Sequence, residues 1–130
     1  MKKIIELIPI ILLWAAIIWM LAFMACGVAH AGDHADAEIA DAIFQAEGSH
    51  QATYLYGIRS VGYKDEADAR RICLNTIRNN RKRYAEYGHR QHDTYLEFLA
   101  SRYCPVNAPN DPRGLNRNWL RNVLHFLERS

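Results

Sequence analysis

Apolar residues recur at helical spacing in four separated stretches of the chain, and the segments between them are rich in glycine, proline, asparagine and aspartate. Ile39, Ile43 and Ala46 share one face of a helix expected over residues 37–46, with Asp36 as its candidate N-cap. Gly48-Ser49 stops it. Residues 49–63 carry Thr53, Tyr54, Tyr56, Ile58 and Val61 among Gly57 and Gly62, which predicts an irregular loop with at most a short extended piece. The longest helix is expected over residues 65–86, with Ala69, Ile72, Cys73, Ile77 and Tyr84 inward and the arginines outward, and Gly88 ending it. A third helix is expected over residues 93–103, burying Tyr95, Phe98 and Leu99. It ends at Cys104-Pro105, because the residue before proline disfavours helical geometry. A Pro/Asn/Asp loop over residues 105–114 leads to a last amphipathic helix over residues 115–129, carrying Leu115, Trp119, Val123, Phe126 and Leu127. The pattern predicts a small all-α domain, without internal repeats or low-complexity segments.

The first thirty-one residues read differently. Lys2 and Lys3 precede a mostly apolar stretch over residues 4–25, and Ala29-His-Ala31 supplies the small residues that a signal peptidase prefers. Residues 1–31 are therefore expected to be a signal peptide, cleaved before Gly32, and residues 32–130 the exported domain. Residues 10–26 hold no charge and approach bilayer-spanning length, so an uncleaved anchor is the competing reading. Phe23-Met-Ala-Cys26 departs from a lipoprotein box, which usually carries Leu upstream. Both main readings place the domain outside the cytoplasm, in the periplasm or cell envelope, with membrane association only if the segment stays attached.

Export changes the expectation for cysteine. Of three cysteines, Cys73 and Cys104 lie beyond the export segment, and in an oxidising compartment they predict one disulfide. Such a bond would pin the loop over residues 105–114 and contribute about 3–4 kcal/mol in the chain-entropy model. The histidines are scattered, no Cys-x-x-Cys exists, and His89 and His92 sit beside Gly88 in an expected turn. Neither a metal site nor a cofactor is expected. The formal net charge is +2, and leaving out Lys2, Lys3 and Glu6 leaves 14 basic against 13 acidic residues. That near-neutrality speaks against a nucleic-acid binder driven by bulk charge. Arg70, Arg71, Arg78, Arg81, Lys82 and Arg83 gather on one expected helix, as a solvated face or one lying against an anionic polymer or membrane surface.

The candidate chemistry centres on Ala42-Ile-Phe-Gln-Ala-Glu47-Gly-Ser-His-Gln-Ala-Thr-Tyr-Leu-Tyr56-Gly57-Ile58. Glu47 ends an apolar helix just before an aromatic loop. Packed among Phe44, Tyr54 and Tyr56 its carboxyl would lose hydration, and its pKa would rise toward that of a proton donor. Read alone, Glu47 is also compatible with a solvated carboxylate in the last turn of a surface helix. A helix ending in Glu, with Ser two residues on and a Tyr-Gly-Ile segment following, resembles the lysozyme-like family of soluble lytic transglycosylases and goose-type lysozymes. The stretch Phe98-Leu-Ala-Ser-Arg-Tyr103-Cys-Pro-Val-Asn107 is similar to the family's later Tyr-Asn segment. Residues 102–119, Arg-Tyr-Cys-Pro…Asn-Asp-Pro-x-Gly-Leu-Asn…Trp, resemble the ending of small exported lysozyme-like proteins of bacteria and phages. The likeness spans about residues 37–127. The chain departs from the family where Gly48 intervenes before Ser49, where Arg59-Ser60 replaces Met-Gln, and where Cys-Pro-Val separates Tyr103 from Asn107.

The resemblance implies a lysozyme-like fold, peptidoglycan glycan strands as substrate, and Glu47 as the single catalytic acid. Tyr56, Gly57, Ile58 and Tyr103 would line the sugar cleft, with Ser49 and Asn107 as neighbouring polar contacts. Most glycosidases use two carboxylates, and the early loop offers no second one before Asp65 and Glu66. With one acid, the N-acetyl group of muramic acid would stabilise the cationic sugar. Deprotonated Glu47 would then activate either the sugar's 6-hydroxyl, as in a lytic transglycosylase, or water, as in a lysozyme. The alternatives are a degenerate fold that binds glycan without cleaving it, and an interaction module of an envelope-spanning or phage assembly.

Overall fold

The computed structural model describes residues 34–130, which form one compact unit; the expected signal peptide and its cleavage point before Gly32 lie outside the described residues. Four α-helices, linked by short 3₁₀ turns, account for the regular structure: α1 Asp36–Ala46, α2 Glu66–Glu86, α3 Tyr95–Tyr103 and α4 Trp119–Leu127. The described residues are all-α, as the periodicity predicts. No helix among them is long and apolar enough to cross a membrane.

Helix α1 is the hub. It buries Ile39, Ala40, Ala42 and Ile43 and packs chiefly against α4 and α2. Its N-cap is Ala35 rather than the expected Asp36, and Glu38 Oε2 satisfies the Ala35 amide at 3.0 Å. Asp36 sits inside the first turn, where a carboxylate meets the positive end of the helix dipole. There its Oδ1 accepts from Arg81 Nε at 2.5 Å, and Arg78 stands 3.7 Å from Oδ2. The Arg81 guanidinium also lies 4.4 Å from the centre of the Tyr95 ring. Arg70 pairs with Asp41 of α1, and Arg71 with Asp68. Much of the arginine cluster expected to be a solvated face therefore pairs with acids, and Arg70, Arg78 and Arg81 tie α2 to α1.

Helix α2 starts at the Asp65 cap, whose carboxylate accepts the Asp68 amide at 2.8 Å. Its inner stripe is Ala69, Cys73, Ile77 and Asn80, the last spending its amide N–H on Thr76 O. Helix α3 begins with a capping box: Thr94 accepts the Glu97 amide and Glu97 accepts the Thr94 amide, each at 3.2 Å. Before α4, the expected continuous helix is interrupted. Residues Leu115–Asn118 wind as a 3₁₀ turn, because Asp111 captures the amides of Leu115 and Asn116 at 2.8 and 2.9 Å. Leu115, expected inward, is 52 % exposed, whereas Trp119, Val123 and Leu127 form the buried stripe of α4.

The expected disulfide is not formed: Cys73 and Cys104 are free thiols. Cys73 is fully buried in mid-α2, and the neighbour of its sulfur is the Tyr103 hydroxyl at 3.8 Å. Successive residues at a helix end diverge by about 100°, so with Tyr103 turned toward α2, Cys104 faces elsewhere, at the rim of a cleft. Burial pushes each thiol up to about 12.

Candidate active site

Glu47 is placed by the end of α1. Its own amide still reaches Ile43 O at 2.9 Å, and the chain then leaves the helix through Gly48, whose φ of 104° is the left-handed region that glycine enters without strain. The carboxyl group thus projects from the rigid hub of the fold. Trp119, the first residue of α4, donates its indole N–H to Glu47 Oε1 at 2.9 Å. Oε2 accepts no hydrogen bond from the described residues.

Two 3₁₀ turns, Ser49–Gln51 and Leu55–Gly57, carry the chain back over this acid. The expected short extended piece is absent from this loop. Tyr63 braces it by accepting the Leu55 amide on its hydroxyl oxygen at 2.9 Å. Gly57 lies directly against the carboxyl: a Cβ at that position would stand 2.7 Å from Glu47 Cδ and 2.8 Å from Oε2. Its φ of 67° is a second reason for glycine. Tyr103 completes the arrangement from α3. Its hydroxyl donates to Tyr56 O at 2.5 Å, and its ring stacks on Trp119 with centroids 5.1 Å apart at 24°. The catalytic candidate, the turn that covers it and the two aromatic supports come from four separate parts of the sequence.

Burial raises the pKa of Glu47, against the opposing pull of the Trp119 hydrogen bond and the positive charge of Arg59. In the neutral acid the oxygen that accepts from Trp119 is the carbonyl-like one, which puts the proton on Oε2. Glu47 borders a cleft of 680 Å³, shared with Gly57, Arg59, Tyr103, Cys104, Asn110, Asp111 and Asn116 among others. Asp111 is the second carboxylate there, but both its oxygens are taken by the Leu115 and Asn116 amides. Asn116 Nδ2 in turn donates to Pro105 O at 2.9 Å. The site offers one available acid.

The other expected site residues divide. Gly57 and Tyr103 line the cleft beside Glu47. The Tyr56 ring does not: it is 2 % exposed and packs on Phe44 at 5.0 Å, so its backbone carbonyl is what serves the site. Ile58 belongs to the core and borders a separate groove with Tyr54 and Arg59. Ser49 is turned back to the helix, its hydroxyl donating to Gln45 Oε1 at 2.8 Å, and Asn107 is exposed in its loop outside the cleft lining. Asp65 and Glu66 are occupied elsewhere, the first as the α2 cap and the second with His50 at 3.1 Å. His89 Nδ1 meets Tyr84 O at 3.1 Å, and the His92 ring stands edge-on to Phe98. No group of three His, Cys, Asp or Glu among the described residues could hold a metal ion.

Sequence reasoning gave Trp119 a place in the core stripe and gave both Trp119 and Asp111 a place in the resemblance over residues 102–119, but assigned neither a hydrogen bond at the site. An N–H-bearing aromatic at the start of a helix was the available signal for the first. For the second it was an acid three residues before the glycine that precedes the last helix. Compared with protein-family models, with curated proteins and with solved structures, the chain matches none.

Proposed function

We propose that this protein cleaves the MurNAc–GlcNAc glycosidic bond of peptidoglycan with Glu47 as its single general acid and base. The reading is supported above all by one observation: a half-buried carboxyl, its pKa raised by burial, borders a cleft while an indole N–H holds one of its oxygens. The family-like Glu47, Gly57 and Tyr103 positions support this reading, and the export-like residues 1–31 support an activity in the periplasm or cell envelope.

In this scheme Oε2–H of Glu47 protonates the glycosidic oxygen as the anomeric C–O bond breaks. The N-acetyl oxygen of muramic acid stabilises the electron-poor anomeric carbon. The resulting Glu47 carboxylate removes a proton from the 6-hydroxyl of the same sugar, which closes onto the anomeric carbon as a 1,6-anhydro ring. With water in place of that hydroxyl the product is a reducing sugar. Arg59 and Trp119 both stabilise the carboxylate between the two proton transfers.

The test is digestion of purified peptidoglycan with mass analysis of the fragments. Wild-type protein should release anhydro-muropeptides or, for a hydrolase, products heavier by one water, and Glu47→Gln should lower turnover by about 10²–10⁴-fold. Unchanged turnover in the variant would sink the assignment. Binding of strands without turnover would make the domain a glycan-binding module.

A further inference from the structure

Arginines are spread over the domain, and two of them border the Glu47 cleft. Arg70, Arg71, Arg78 and Arg81 have acid partners. Arg59 and Arg113, which border the Glu47 cleft, have no ion pair among the described residues. Arg59 is exposed, and no hydrogen bond within the described residues uses its N–H donors. Its guanidinium lies 5.5 Å from the centre of the Tyr54 ring, a cation–π contact that steadies the charge without spending a donor. It borders the same cleft as Glu47 and Cys104, and its charge pulls against the burial-driven rise in the pKa of both. Neither acid of the cleft forms an ion pair with it among the described residues: each Asp111 oxygen accepts a backbone amide, and Glu47 Oε1 accepts from Trp119. A cleft bordered by arginine forks outside any ion pair is complementary to a planar anion.

We propose that Arg59, aided by Arg113, forms a carboxylate-binding subsite that selects glycan strands bearing free carboxylates next to the bond to be cut. The inference rests on the glycan reading of the cleft and adds to it a charge requirement. Two groups on peptidoglycan carry that chemistry. One is the lactyl carboxylate of muramic acid in strands stripped of peptide, and the other is the set of carboxylates on the stem peptide, whose attachment turns the lactyl group into a neutral amide.

Binding titrations with full-length wild-type protein and Glu47→Gln separate the cases, because they need no turnover. Four ligands are compared: peptide-free strands, the same strands with their carboxylates converted to amides, peptide-bearing strands, and their amidated counterpart. Amidation should weaken wild-type binding roughly tenfold or more, the scale of one charge-assisted hydrogen bond lost, and added salt should narrow the gap. Loss of affinity on amidating peptide-free strands identifies the lactyl carboxylate, and loss confined to peptide-bearing strands identifies the stem. Arg59→Gln should bind charged and amidated strands alike, while Arg59→Lys should keep part of the preference. Equal wild-type affinity for charged and amidated strands, a preference surviving in Arg59→Gln, or no binding to any strand would each overturn the subsite. The wild-type comparison stands even if a variant fails to fold. Charge-selective binding without turnover would remove the enzymatic reading and keep the subsite; turnover without charge selection would do the reverse.

Discussion

Trp119 donates its indole N–H to Glu47 Oε1 across 2.9 Å, although 72 positions separate the two residues in the chain. The bond joins the end of the first helix to the start of the last one. It engages one carboxyl oxygen and leaves the other free of hydrogen bonds among the described residues, and it pulls against burial in setting the acidity of Glu47.

Trp119→Phe keeps an aromatic ring for Tyr103 to stack on and deletes only the donor. Turnover should fall about tenfold, the scale of one hydrogen bond to a charged group. Losing an interaction that favours the carboxylate raises the Glu47 pKa further, so the proton stays on longer as pH rises. The alkaline limb of the pH–rate profile should move to higher pH, and a limb that stays in place would disconnect Trp119 from the acid.

Gly57→Ala tests the close approach of the turn to the carboxyl. The added methyl would lie 2.7 Å from Glu47 Cδ, and the backbone would be held at a φ of 67° that alanine dislikes. Together these should cost about 1–3 kcal/mol in thermal or denaturant unfolding, and turnover should drop more than tenfold as the acid is displaced. An alanine variant of full stability and activity would contradict the packing described.

Glu47→Gln should also change how stability depends on pH. A carboxyl whose pKa is raised by folding binds its proton more tightly in the native state, so wild-type stability declines as pH climbs above the ordinary glutamate value of 4.5. Glutamine has no such proton. The variant should match or exceed wild type in unfolding free energy near neutral pH, and its advantage should shrink as pH falls toward that value. Parallel stability curves for the two proteins would show that Glu47 is not desolvated.

The thiols give an independent check on the core. Protein unfolded without reductant should take up two alkyl groups on Cys73 and Cys104, and the folded protein should react far more slowly, since both thiols are pushed up to about 12 by burial. Cys73→Ala should destabilise the domain by about 1–2 kcal/mol through the small void it leaves. Absence of alkylation on unfolded protein would restore the disulfide.

Local pattern carried the helices well, because Ile39 and Ile43, or Val123 and Leu127, announce their buried face by spacing alone. It misplaced residues whose roles depend on distant partners. Asp36 looked like a cap until Arg81 came to meet it from α2, and the arginine face, largely exposed as expected, gave no sign of its acid partners on α1. The prior for two cysteines in an exported chain could not reveal that Tyr103 occupies the neighbourhood of Cys73. At the site, Glu47 and Gly57 were legible as a helix end and a turn. Ser49 and Asn107 were chosen by proximity in sequence, and the short side chain of Ser49 found its partner at Gln45 instead.

The hydrogen bonds that Asp111 makes to Leu115 and Asn116 have a mechanical consequence. One side of the cleft is built on α1, whose inner face is sealed in apolar packing, while the Pro105–Gly114 side is held mainly by polar bonds at the surface. Amide protons on that polar side should exchange with solvent through small local openings, whereas those of α1 should wait for global unfolding. A long polymer need not thread end-first into such a groove. If the glycan reading holds, a strand would be laid in sideways while one bank yields and the bank carrying the acid keeps its shape.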